Sequence, residues 1–517
     1  MIRICSVIGF ATIALFLCGC GSTDSSAFQS TRLNAWQQPE AQFNTEEYDD
    51  IEENDFVDAM TQPLSTFAVD VDTASYSNVR RMLTDGQLPP KGAVRIEELV
   101  NYFEYDYPQP SDDHPFSVST IVAPCPWNQE NRLLRIALQG KQIQMDDRPA
   151  SNLVFLLDVS GSMSAPNKLP LVKSAMKMLV EQLTENDRIA IVVYAGASGR
   201  VLNSTSADQK AVIMNALDNL QAGGSTNGGE GIKLAYQIAL ENFIAGGTNR
   251  VILCTDGDFN VGTTNRSELV DLIQEKAQEG TFLSVFGFGT GNLKDSTMEQ
   301  LADKGNGNYA YIDSKLEARR ALVDQLGGTL ITIAKDVKIQ VDFNPAQVQS
   351  YRLIGYENRV MANQDFRDDR KDAGEIGAGH RVTALYELVP VGSEDRTAPN
   401  IDSEFVEVTP RDSVDPEKML VVRLRYKQPA AEKAMEFSTF LTGNLQAQPP
   451  MADSDMTFAS AVATFGMLLR ESEHAGQANW DSVIKLASAG TVEDQGGFRA
   501  EFVDLARKAK ELSAEKP

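Results

Sequence analysis

The chain reads as an α/β protein with a doubly wound, mostly parallel sheet, a flanking β-sandwich and a set of C-terminal helices. Three observations predict this. Between 151 and 330, the strand-like runs NLVFLLD, RIAIVVY, RVILCTD and TFLSVFGFG alternate with amphipathic helical runs, the pattern of buried parallel strands covered by helices on both faces. From 331 to 430, KDVKIQVDFN, SYRLIGYENR, RVTALYELVP and KMLVVRLRYK are strands spaced by turns, which predicts a sandwich. From 431 to 517, FASAVATFGMLLR, WDSVIKLASA and GFRAEFVDLARKAKEL repeat apolar residues at helical spacing, so these helices should dock by their apolar faces.

The amino terminus carries an address. Arg3 is followed by an apolar stretch from Ile4 to Leu17 and then small residues, the layout of a secretory signal over 1–20. That stretch is shorter than the roughly 20 apolar residues of a membrane-spanning helix. Leu17, Cys18, Gly19 and Cys20 resemble the bacterial lipobox, which implies a lipid on Cys20 as the mature amino terminus. Cys18 departs from the small residue more usual at that position. By that resemblance Gly21, rather than an aspartate of the inner-membrane retention type, follows Cys20, so an envelope location is expected, at the outer membrane if the cell is diderm. Residues 21–63 are polar and carry eight carboxylates between Glu46 and Asp58. Like charges at that density extend a segment, which predicts a flexible acidic tether. The glycine spacing of a calcium-binding EF-hand loop is missing from it.

An N-terminal flanking domain is expected over 64–150. STFAVDVDTASYSNVRRML predicts a strand ending at Asp70 to Asp72 and a helix capped by Thr73 or Ser75. VRIEELVNYFEY predicts a helix with Ile96, Leu99, Val100 and Phe103 on one face, and FSVSTIVA and NRLLRIALQG predict two strands. These strands could join the downstream sandwich, which would make the parallel-sheet domain an insertion.

Charge and composition narrow the function. The chain of 517 residues carries 47 Lys and Arg against 72 Asp and Glu, net -25, a surface that repels nucleic acid. Three histidines, none near a cysteine, give no zinc-like pattern. Cys125 and Cys254 remain for the folded part, enough for one disulfide at most, and Cys254 in VILC reads as a buried thiol. GFGTGN lacks the third glycine of a dinucleotide loop, and there is no phosphate-binding lysine loop, so no nucleotide is expected.

In doubly wound sheets, ligands bind beyond the carboxyl ends of the strands. The first parallel strand ends in DVSGSM, where Asp158, Ser160 and Ser162 alternate and so point the same way. RVILC ends in TDG, which places Asp256 beside them. Between these lies QAGGSTNGGEG, whose glycines permit tight turns around Thr226. All five are hard oxygen donors suited to Mg²⁺, with Mn²⁺ or Ca²⁺ as alternatives. DVSGSM alone would pass as an ordinary capped turn.

The five residues, in order, resemble the metal-ion-dependent adhesion site of von Willebrand factor type A domains, a Rossmann-like fold. The resemblance implies that Ser160, Ser162 and Thr226 supply hydroxyls to a divalent cation and that Asp158 and Asp256 act directly or through water. It also implies that a protein partner's carboxylate completes the coordination. TDGDFNVG, LADKGNGNYAYID, YRLIGYENR and DAGEIGAGH, with the upstream STFAVDVDTASY and VRIEELVNYF, are similar to bacterial lipoproteins of the YfbK type, over most of the mature chain. A metal-dependent hydrolase is the alternative activity, and a scaffold without metal-mediated binding is the third reading. DVSGSM breaks the second aspartate of DxD phosphatases, and no base accompanies the ligands. Receptor-type A-domains couple the ion to their last helix, which here would be SKLEARRALVDQLGG leading into the sandwich.

Overall fold

The computed structural model describes residues 46–69, 72–144, 148–195, 198–224, 228–257, 266–371, 373–393, 415–429, 431–447, 452–492, 494 and 496–515. Cys20, Asp70 and Thr226 lie outside these residues, as do the signal segment and the first part of the expected tether.

The parallel-sheet domain has the expected architecture. Its strands run in the order Tyr309–Ile312, Thr281–Phe288, Thr248–Thr255, Ser151–Asp158, Arg188–Tyr194 and Ser198–Ser206. Neighbours are parallel except the last, which runs antiparallel at the edge. The central strand Ser151–Asp158 is buried along its whole length, which explains why NLVFLL is a continuous apolar run rather than an alternating one. The helix Leu169–Gln182 buries Leu169, Val172, Met176, Leu179 and Val180, with Leu183 buried just beyond it. Its solvent face sends Lys173 to the carbonyl of Asp218 at 3.0 Å and Lys177 to the Asp218 carboxylate at 2.5 Å.

The flanks form one sandwich. One sheet is ordered Val57–Asp58, Val348–Ile354, Arg381–Pro390, Arg132–Gly140 and Phe116–Pro124. The other is ordered Val360–Met361, Leu64–Ala68, Thr332–Phe343, Lys418–Lys427 and Ala434–Thr442, and Ile376–Gly377 pairs with its central strand. Each sheet draws strands from before and after the parallel-sheet domain. That domain is therefore an insertion, and residues 64–150 and 331–430 are not separate domains.

Three expectations are corrected. Residues 434–442 form an edge strand rather than part of the helical region. The acidic segment from Glu46 to Pro63 is laid along the body instead of extending from it: Val57–Asp58 pairs with Val348–Ile354, and Phe56 and Ala59 are buried. Two of its carboxylates meet cations, Glu46 to Arg81 at 2.8 Å and Glu47 to Lys294 at 3.0 Å, which offsets part of the repulsion that would otherwise extend it. The helix Ala74–Thr84 has no side-chain cap. Thr73 Oγ1 instead accepts from Arg320, while Ser75 Oγ donates to the Ala93 carbonyl and accepts from Arg95 N.

The C-terminal helices Ser454–Arg470, Trp480–Ala489 and Phe498–Ala514 dock as their periodicity predicts. They share a core with the helices Ala74–Thr84 and Ile96–Asn101, in which Tyr76, Leu99, Phe103, Phe458, Phe465 and Phe502 are buried. Cys125 and Cys254 are both free and buried.

A single glycine governs the return from the inserted domain to the sandwich. A Cβ on Gly377 would lie 2.0 Å from the carbonyl oxygen of Gly328, in the short helix Leu326–Leu330. Backbone against backbone cannot give way cheaply, so Gly377→Ala is expected to lower unfolding stability by about 3 kcal/mol. Chemical denaturation of the variant beside the parent checks this.

Candidate metal centre

Two strand ends and the loop between them converge at the carboxyl edge of the parallel sheet. Asp158 is the last residue of its strand and is fully buried. Its Oδ1 accepts from Ser160 N at 2.8 Å, and Thr255 Oγ1 lies 3.4 Å from its Oδ2. Ser160 stands in extended conformation before the 3₁₀ turn Gly161–Ser164, which turns the Ser162 hydroxyl to within 3.0 Å of that of Ser160. The adjacent strand Thr248–Thr255 delivers Asp256, also fully buried. The third loop reaches the same place, because Gly161 N donates to Gly224 O at 3.0 Å and Gly223 N to Val159 O at 2.7 Å. Four of the five expected residues, Asp158, Ser160, Ser162 and Asp256, are thus placed together; Thr226 follows Gly224 closely but is not among the described residues.

The electrostatics suit a cation. Burial, with Asp256 beside it, pushes the Asp158 carboxyl up to about 6 despite its hydrogen bonds to Ser160. A positive charge placed between the two carboxylates would relieve both costs. One is already present at Asp256: Lys168 Nζ lies 2.8 Å from its Oδ2, and Asn292 Nδ2 lies 3.4 Å from the same oxygen. The donors are all oxygen, mixing hydroxyl with carboxylate, and so fit a hard divalent ion. Among the described residues, no group of three or more His, Cys, Asp or Glu forms a metal cluster, which leaves this mixed hydroxyl and carboxylate set as the candidate.

Family models match three consecutive stretches: residues 42–135 match one described as "von Willebrand factor", 152–325 "von Willebrand factor type A domain", and 328–512 "Uncharacterized protein YfbK, C-terminal". Over 471 residues, 89% of this chain and 80% of the relative, the sequence is 42% identical to the Escherichia coli (strain K12) protein described as "Uncharacterized protein YfbK". The chain belongs to the YfbK-type von Willebrand factor type A proteins. A second relative of this YfbK-type chain, "Uncharacterized protein sll0103" of Synechocystis sp., is 30% identical over 187 residues, 36% of this chain and 43% of that one. Among solved structures, "von Willebrand factor type A from Catenulispora acidiphila" is 16% identical, covers 78% of this chain and 91% of that chain, and has a TM-score of 0.43.

Sequence reasoning missed Lys168 and Asn292. Neither belongs to the DxSxS or TDG pattern, and each reaches Asp256 only through the fold. The one local signal is Gly289, needed where the Lys168 stem crosses the chain.

Proposed function

We propose that this YfbK-type protein is a non-enzymatic binding or assembly protein of the cell envelope, anchored through a lipid on Cys20. In this reading Asp158, Ser160, Ser162, Thr226 and Asp256 hold a divalent cation, Mg²⁺ first. The ion supplies an electrophilic position for a carboxylate from a partner protein. The observation that carries the reading is the convergence of buried Asp158 and Asp256 with the Ser160 and Ser162 hydroxyls at one sheet edge. Membership of a von Willebrand factor type A family supports protein–protein interaction as the class of function.

Binding is favoured over hydrolysis by where the bases lie. His114 stacks on Phe437 in the sandwich, His380 sits in the loop before Arg381–Pro390, and His474 packs on Phe56. None of these is a described partner of the two aspartates, whose partners include the Ser160 N–H, the Thr255 hydroxyl, the Lys168 ammonium and the Asn292 carboxamide. The lipobox-like run Leu17, Cys18, Gly19 and Cys20 makes a lipid on Cys20 the proposed attachment; no helix among the described residues is long and apolar enough to cross a membrane. Palmitate labelling is expected in the parent and absent in Cys20→Ala.

The test is retention of envelope proteins on the immobilised chain in Mg²⁺, with elution by EDTA. Asp256→Ala is expected to retain nothing that EDTA releases. Equal EDTA-sensitive capture by that variant overturns the reading.

A further inference from the structure

Lys168 begins the helix Leu169–Gln182, yet its side chain turns back into the centre rather than outward. The side chain is 7% exposed and ends 2.8 Å from Asp256 Oδ2. Its stem passes over Gly289, where a Cβ would lie 2.3 Å from Lys168 Cγ and 2.4 Å from Cε. Gly289 also has φ of +74°, a conformation that side-chain-bearing residues avoid. Space and backbone therefore both require glycine there, and the passage delivers an ammonium to one carboxylate of the pair. The same loop adds Asn292 Nδ2 at 3.4 Å from that oxygen.

We propose that Lys168 is a tethered counter-cation that sets the charge of the metal centre by competing with the divalent ion for Asp256. This rests on the metal reading above. Asp158 and Asp256 together carry two negative charges, and Lys168 cancels one of them. A divalent ion then leaves the centre with one net positive charge, whereas without Lys168 it would be neutral. The ammonium thus weakens the hold on the ion and strengthens the attraction of the loaded centre for an anionic partner. Two like charges a few ångström apart at a largely buried site repel by enough to change affinity about tenfold. Lys168 is a positioning residue in this scheme, since it acts through Asp256.

Calorimetric titration of the full chain with Mg²⁺ alone, and then with Mn²⁺ alone, tests the idea in the parent and in Lys168→Met, Lys168→Gln and Lys168→Arg. The two neutral variants are expected to bind either ion about tenfold more tightly, and Lys168→Arg to stay within about twofold of the parent. A residue with only a packing role would not separate the variants by charge. Lys168→Gln keeps a donor for Asp256, so it guards against misfolding of the methionine variant, and thermal unfolding verifies both. Binding by the parent with no gain in the folded neutral variants overturns the inference alone. Absence of binding by all four proteins overturns the metal reading and the inference with it.

Discussion

Glu317→Ala is expected to lower unfolding stability by about 3–5 kcal/mol, the cost of leaving buried charges without their partner. Glu317 sits in Lys315–Arg319, at the end of the inserted domain, with its side chain 1% exposed. It accepts from Arg80 Nη2 at 2.9 Å, from Arg320 Nε at 2.9 Å and from the Tyr102 hydroxyl at 2.6 Å. Arg80 and Tyr102 belong to the N-terminal flank, so the cluster ties the inserted domain to the body. Burial alone would push the Glu317 carboxyl up, but Arg320 and Arg80 outweigh it and hold it below the usual range. The sign follows from linkage: its contribution is complete above the ordinary glutamate pKa of about 4.3 and is lost as pH falls through the lower native value. Denaturant titration at neutral pH measures the loss. A double-mutant cycle with Arg80→Met should show strong coupling, because the two side chains share the cluster. Near-additive effects would mean that the pair does not act as a unit.

Asp158→Asn is expected to abolish measurable Mg²⁺ binding, a loss of about a hundredfold or more, while leaving the fold intact. Asparagine keeps an acceptor for Ser160 N, so the turn Gly161–Ser164 retains its entry contact. It removes the charge, the property the cation requires. Asp158→Ala is the poorer probe, since it strips the buried Ser160 N–H and Thr255 hydroxyl of an acceptor and mixes instability with lost binding. Calorimetry with Mg²⁺ alone, beside a thermal melt, separates the two effects. Unaltered affinity in a well-folded Asp158→Asn protein would remove the aspartate from the ligand set.

The parallel sheet was legible because burial on both faces writes continuous apolar runs, and the meeting of Asp158, Ser160, Ser162 and Asp256 because their loops follow those runs directly. The edge strand Ala434–Thr442 was not. Its residues are intermediate or exposed throughout, and although Phe437 and Leu441 pack on the core, exposed Met435 and Phe440 blur the apolar alternation. The acidic segment misled for a different reason: its charge is plain in the sequence, while Arg81 and Lys294, which receive Glu46 and Glu47, lie 35 and 247 positions away. Lys168 was equally hidden, 88 positions from Asp256. Ion pairs of such separation are properties of the fold alone.

The inserted domain leaves and rejoins the sandwich at nearly one point. Ser151 pairs with Thr248, and the Thr248 hydroxyl donates to the Leu330 carbonyl at 3.2 Å, so the first strand and the last helix end against the same residue. A domain whose two ends meet is a cassette. Adjacent ends would allow its exchange for another domain, provided the replacement keeps the contacts of Glu317 to Arg80 and Tyr102 that bind it to the body. Swapping cassettes would show whether partner choice travels with the loops that carry Asp158 and Asp256 or stays with the body that carries them.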